Sequence, residues 1–252
     1  MAGFVIAKGD KPEVFVHGSD LTDNGRVSNP DFQKPAVDVT TFADAGHRNN
    51  LGLETVTYTY EGLYDNTLDK SYRTLTQDLR NNKRIVTVWP DGAGSANIGL
   101  AMGEAFSPGN TIPVSVGDAV GISASIMQDG TVDNVISLGT KHRITATENG
   151  GSYDRGAGQT TTSGARCFVH IFEPTVITGG NAQYDGTFAS ATTAAGAYTA
   201  HAVFSVGSGV NTGTVLTVAS GTTINRWVRY TFTRDATTGS VTFQPSFVAA
   251  ED

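Results

Sequence analysis

Five histidines, one cysteine and a scatter of carboxylates are the side chains here with most chemistry to offer, and their spacing limits what they can do. His17, His47, His142, His170 and His201 stand apart, and none belongs to an HxH or HExxH pair. Those spacings put two imidazoles on one metal ion, so no metal site is expected. Cys167 is alone, which excludes an internal disulfide and a cysteine-based zinc cluster. It precedes Phe168-Val169 and reads as a small buried hydrophobe, with no electropositive pocket implied nearby. Gly92-Ala93-Gly94-Ser95 lacks the GxSxG spacing of a hydrolase elbow. Gly156-Ala157-Gly158 lacks the strand–turn–helix frame of a nucleotide loop. Asp38, Asp44, Glu54, Glu61 and Asp65 cluster weakly, without EF-hand spacing, and read as solvated turns. No acid–base or nucleophile constellation emerges, so neither an enzyme nor a cofactor is expected.

Composition points the same way. Of 252 residues only 16% are charged, while 30 are glycine, a balance that suits a β-rich module with many turns. The net charge of −7 and pI near 5.1 offer no basic footprint for nucleic acid. No stretch approaches a membrane span, and the first residues lack a signal-peptide pattern, so cytoplasmic synthesis and assembly are expected.

The elements centre on residues 37–79. Leu53, Thr55, Thr57 and Thr59 alternate with Glu54, Val56, Tyr58 and Tyr60, the period-two signature of a strand, with Val56, Tyr58 and Tyr60 as the core face. Leu68, Tyr72, Leu75 and Leu79 then step by four, three and four, which predicts one amphipathic helix over about 65–80. Asp65, Asn66 and Thr67 offer caps, and Lys70, Arg73, Gln77 and Asp78 form its polar face. Residues 1–35 read as an N-terminal arm or an edge hairpin. Ile85–Trp89 is a strand, Ala93–Gly109 a loop or hairpin, and Ala119–Met127 with Val132–Leu138 a β-hairpin around Gln128-Asp129-Gly130. The Gly, Ser, Thr and Asn run at 147–164 reads as a linker holding a domain boundary. Beyond it, strands are expected at Cys167–Phe172, Gln183–Ala189, Tyr198–Val206, Thr214–Val218, Trp227–Thr233 and Val241–Val248, a spacing that suits a sandwich or jelly roll.

Two stretches also carry a resemblance. Ala36-Val37-Asp38-Val39-Thr40-Thr41-Phe42-Ala43-Asp44, with Leu51 through Asp65 (LGLETVTYTYEGLYD), is similar to a pattern of the major tail tube proteins of long-tailed, siphovirus-like bacteriophages. Gly117 through Gly130 (GDAVGISASIMQDG) resembles a second stretch of that family, with Ile122 where an aromatic is usual. The resemblance covers roughly residues 35–140. The ending NRWVRYTFT…GSVTFQPSFV looks like the β-sandwich extensions of some phage virion proteins.

The resemblance implies an all-β fold with one amphipathic helix: a tail-tube-type β-sandwich or barrel domain over 36–155, and a second, jelly-roll-like β-sandwich over 165–252. It implies a structural virion protein located in the tail, assembled in the bacterial host cytoplasm. Its copies would form rings, hexameric in the family's manner, that stack into a tube for DNA ejection. Expected partners are other copies of the chain and the tape measure and tail terminator proteins. DNA would pass through the lumen without specific binding, and no membrane is involved. Candidate assembly surfaces are Asp44, His47, Arg48, Asn49 and Asn50 in one loop, Lys70 and Arg73 on the helix, and Gly94, Asn97 and Met102 in the 92–109 stretch. Two other readings remain open at this point. One is a capsid decoration or head–tail joining protein. The other is a carbohydrate-binding module with Trp89, Trp227, Tyr230 and Tyr184 as a stacking platform.

Overall fold

The computed structural model describes residues 12–33, 36–38, 49–51, 55–94, 96–114, 118–157, 160–175, 178, 183–207, 209, 211–235 and 238–249. Among these the regular structure is nearly all strand. In order the strands are β1 (Glu13–Val16), β2 (Ser19–Asp20), β3 (Gly25–Gln33), β4 (Ala36–Asp38), β5 (Asn49–Leu51), β6 (Thr55–Leu63), β7 (Arg84–Trp89), β8 (Ile98–Thr111), β9 (Gly121–Gln128), β10 (Val132–Ser137), β11 (His142–Ile144), β12 (Glu148–Asn149), β13 (Tyr153–Asp154), β14 (Ala165–Phe172), β15 (Gln183–Ala191), β16 (Thr199–Val206), β17 (Thr212–Val218), β18 (Trp227–Asp235) and β19 (Val241–Ala249).

The large sheet runs β17-β14-β19-β10-β8-β7-β1-β2, and a branch β8-β9-β6-β3 leaves it at β8. A second sheet, β18-β15-β16 with β12 and β13 beside β18, covers the face of β14 and β19, while β4 and β5 pair separately. The strand pairings among the described residues are antiparallel, so each strand is free to bury one face or two. β6 buries Val56, Tyr58 and Tyr60 and turns its threonines outward, as the alternation requires. β7 is buried on both faces. Val86 and Val88 join a core with Tyr58, Tyr60, Leu75 and Ile126, and Ile85 and Trp89 join another with Phe15, Phe168 and Phe172. A third core lies between β14, β19 and the second sheet, around Phe188, Phe232, Phe243 and Phe247.

Several expectations change. The helix over 65–80 shrinks to a turn at Ser71-Tyr72 and a π-helix at Arg73–Asp78, in which the Leu79 N–H reaches back to the Thr74 carbonyl at 2.9 Å. Residues before it are held otherwise. Asp69 sits at φ +60°, and the Ser71 hydroxyl donates to the Leu63 carbonyl at 2.6 Å while accepting the Asp65 N–H at 3.1 Å. Leu75 and Leu79 are fully buried, but Leu68 is 67% exposed. The hairpin expected around Gln128-Asp129-Gly130 is a turn whose two strands part company. β9 pairs with β6 and the second half of β8, and β10 pairs with the first half of β8 and with β19. The 92–109 loop is mostly β8, a 14-residue strand that serves both. Pro108, which lacks an N–H, lies where its pairing with β9 slips. The expected linker carries β12 and β13, both paired with β18. The strands expected from residue 167 onward all form, each within two residues of its expected ends.

Candidate assembly surfaces

The branch β3-β6-β9-β8 ends on an edge strand among the described residues. Among the described residues β3 pairs with β6 alone, so within them its other edge presents unpaired backbone groups. In register, Asp31 stands beside Thr57, Gln33 beside Thr55, Thr57 beside Met127, Thr59 beside Ser125 and Glu61 beside Ser123. These residues share the face opposite the buried Tyr58 and Tyr60. Asp31, Gln33, Thr55 and Glu61 are exposed, the others half-buried. Gln33 Nε2 donates to Asp31 Oδ2 at 2.7 Å along the edge strand. Across the four strands Arg26 is the single cationic residue, against Asp31, Glu61 and Glu104. Apolar side chains lie at both ends of this branch. Phe32, 49% exposed, sits near the β6 start, and Ile112, Val114 and Val120 are exposed near its end.

The residues picked from sequence do not gather on one surface. Asp44, His47 and Arg48 fall outside the described residues. Asn49 and Asn50 lie in β5, opposite Asp38 and Val37. Lys70 is half-buried before the π-helix and Arg73 is exposed at its first position, where it lines a shallow cleft with Ser19, Leu68, Asp69 and Asp78. Gly94 and Asn97 lie at the opposite end of β7, where Asn97 Nδ2 donates to the Asp91 and Gly92 carbonyls, each at 2.9 Å. That bracing fixes the turn between β7 and β8. Met102 is fully buried between Val86 and Val132, so it presents no surface. The edge strand β3 is not legible in the sequence, where Asp23-Asn24-Gly25 and Ser28-Asn29-Pro30 read as turn residues of the N-terminal arm or hairpin.

Burial also settles the sugar platform. Trp89 and Tyr184 are fully buried and Tyr230 nearly so. Trp227 is half-buried and has the Arg226 guanidinium 5.4 Å from its ring. No stacking surface of these four exists. Cys167 is buried, and desolvation pushes its thiol pKa well up, against thiolate chemistry. Ser190 Oγ lies 2.7 Å from His201 Nε2 but is itself buried and accepts the Asn225 N–H at 2.9 Å. This pair braces β15 to β16 rather than presenting a nucleophile.

No family model matches the chain, and no curated protein matches it. Among solved structures it is similar to a chain from the tail of an empty gene transfer agent particle with C6 symmetry, at 16% identity over 52% of this chain and 98% of that one, TM-score 0.40. It is similar to the tube-terminating cap of the anti-feeding prophage, at 10% identity over 53% and 95%, TM-score 0.41. It is also similar to the Dit protein of phage SPP1, at 13% identity over 94% and 99%, TM-score 0.33. At these TM-scores the likenesses carry no argument about function.

Proposed function

We propose that this chain is a structural subunit of a phage tail, of the tail-tube type, whose copies associate into rings that stack into a tube. The observation that carries the reading is the open branch. The two stretches that resemble tail tube proteins include β6 and β9, which are hydrogen-bonded neighbours in it. A free edge at β3 lets a neighbouring copy extend the sheet, and closing the ring removes the exposed edges. The polar face of Thr57, Thr59, Ser123 and Ser125, with Asp31 and Glu61, supports a lumen through which DNA slides. Polyanion binding needs clustered Lys or Arg, and these strands offer Arg26 alone.

In this reading six copies complete a ring, residues 36–155 build the tube wall, and residues 165–252 form a second unit outside it. Tape measure and terminator proteins act at the lumen and the tube end. Assembly in the host cytoplasm and a place in a siphovirus-like virion belong to the same proposal. Replacing Phe32, which is 49% exposed, by Lys puts a charge at the end of this edge. The folded monomer is expected to keep its stability to about 0.5 kcal/mol, as exposed substitutions do, yet to stay monomeric in sedimentation where the unsubstituted chain associates. Association of F32K equal to that of the parent would remove the β3 edge from the interface.

A further inference from the structure

The large sheet rolls until its two ends meet, and two histidines make the seam. At one end lies the β1–β2 turn, His17-Gly18; at the other lie β14 and β17. Gly18 N–H donates to His170 Nδ1 at 3.3 Å, and Gly213 N–H donates to His17 Nδ1 at 3.1 Å. His170 is fully buried between Phe15 and Phe172, and its Nε2 lies 3.0 Å from Thr87 Oγ1 on β7. An imidazole nitrogen that accepts an N–H carries no proton, so both rings are neutral in this arrangement. Asn211, just before β17, adds a bond from Nδ2 to Asp69 Oδ2 at 3.0 Å and accepts the Glu173 N–H. No strand ladder joins β2 to β17; the ends are held by side chains.

We propose that this seam is an acid-released latch: a proton placed on Nδ1 of His17 or His170 turns an acceptor into a donor facing a backbone N–H, and the β1–β2 hairpin lets go of β14 and β17. The surrounding charges are mixed. Burial first, then Arg84, lowers the His17 pKa, and Asp78 opposes. Burial first, then His17, lowers that of His170 to about 3, and Asp20, itself paired with Lys141, opposes. Asp69 faces Asp78, Glu173 and Lys70, and burial raises its pKa. Protonation of the histidines therefore accompanies opening, and opening becomes easier as pH falls below the ordinary histidine value.

Amide hydrogen exchange on the full chain tests this, with rates corrected for intrinsic pH dependence. Between about pH 7.5 and 5, protection of the Gly18 and Gly213 amides is expected to fall about tenfold or more, while β15 and β18 amides hold theirs. Protection that stays flat at the two glycines, or that falls equally throughout the molecule, would overturn the latch. The pair His17→Asn and His170→Gln keeps an acceptor at each position without a titratable ring, and Asn tolerates the positive φ of residue 17. Its protection is expected to lose the pH dependence; a dependence equal to the parent's would also overturn the proposal. If H170Q does not fold, H17N and the parent chain still decide the matter.

Discussion

Gly18 holds its place by what it lacks. At φ +85° it occupies backbone space that side chains rarely adopt, and a Cβ there would overlap the Ile171 carbonyl and the Thr212 backbone. Gly18→Ala is expected to cost about 2–3 kcal/mol, combining backbone strain with the opening of the seam. Gly130 has φ +109° but open space around its Cβ position, so Gly130→Ala should cost only about 1 kcal/mol. Denaturant titration of both variants checks the order, and equal losses would mean that the seam contact contributes little. The histidines give a sign in pH. The folded pKa of His170, pushed to about 3, lies below its unfolded value near 6.5. The unfolded chain then binds more protons between these values, so stability is fully present above pH 6.5 and is lost as pH falls toward 3. A thermal midpoint that declines on acidification from pH 7 to 5, less steeply in H170Q, is the expected result. None of this was legible in the sequence, where His17 and His170 are read as scattered. Only the rolled sheet brings them to one seam.

Elements were legible where packing obeys the local period and obscure where a partner decides. β6 follows its alternation because its Val56, Tyr58 and Tyr60 all enter one core. The strands from β14 onward were readable for the same reason, being short, alternating and bounded by turns. The helix was half-readable. Its stripe predicts Leu75 and Leu79 in the core, but Leu68 is displaced once Ser71 ties the preceding turn to Leu63 and Asp65. Leu75→Ala or Leu79→Ala should cost about 2–5 kcal/mol by leaving a cavity beneath the π-helix. Leu68→Ala should change stability by less than about 0.5 kcal/mol. Thermal denaturation of the three variants tests the division, and a large loss at Leu68 would restore the longer helix. The β9–β10 hairpin failed for a different reason. The turn signal at Gln128-Asp129-Gly130 is real, but β8 runs past both strands and takes each as a partner at a different point. Turn chemistry fixes the corner and says nothing of which strands then pair.

At the scale of the whole molecule, the described residues hold one rolled sheet, a second sheet against its β14–β19 end and a four-stranded branch that leaves the rolled sheet at β8. The all-β class was legible from glycine content, low charge and period-two patterning. The continuity between the halves was not, because the Gly- and Ser-rich run at 147–164 hides β12 and β13, and β10 pairs with β19 far along the chain. If the branch face lines a tube, charge reversal there should matter to transport rather than to folding. Glu61→Lys with Asp31→Lys is expected to leave the monomer folded and to raise its affinity for duplex DNA, with a salt-dependent slope, in a filter-binding or fluorescence assay. Unchanged DNA affinity in assembled material would place this face away from the lumen.

The central claim is self-assembly, and electron microscopy of the purified full chain at rising concentration, with and without preformed tail ends as initiators, tests it most directly. Rings or hollow tubes with a regular axial repeat are expected, and F32K is expected to lack them. Particles that remain single copies with initiators present, or that instead coat empty capsids, would contradict the tail-tube reading and favour a decoration role.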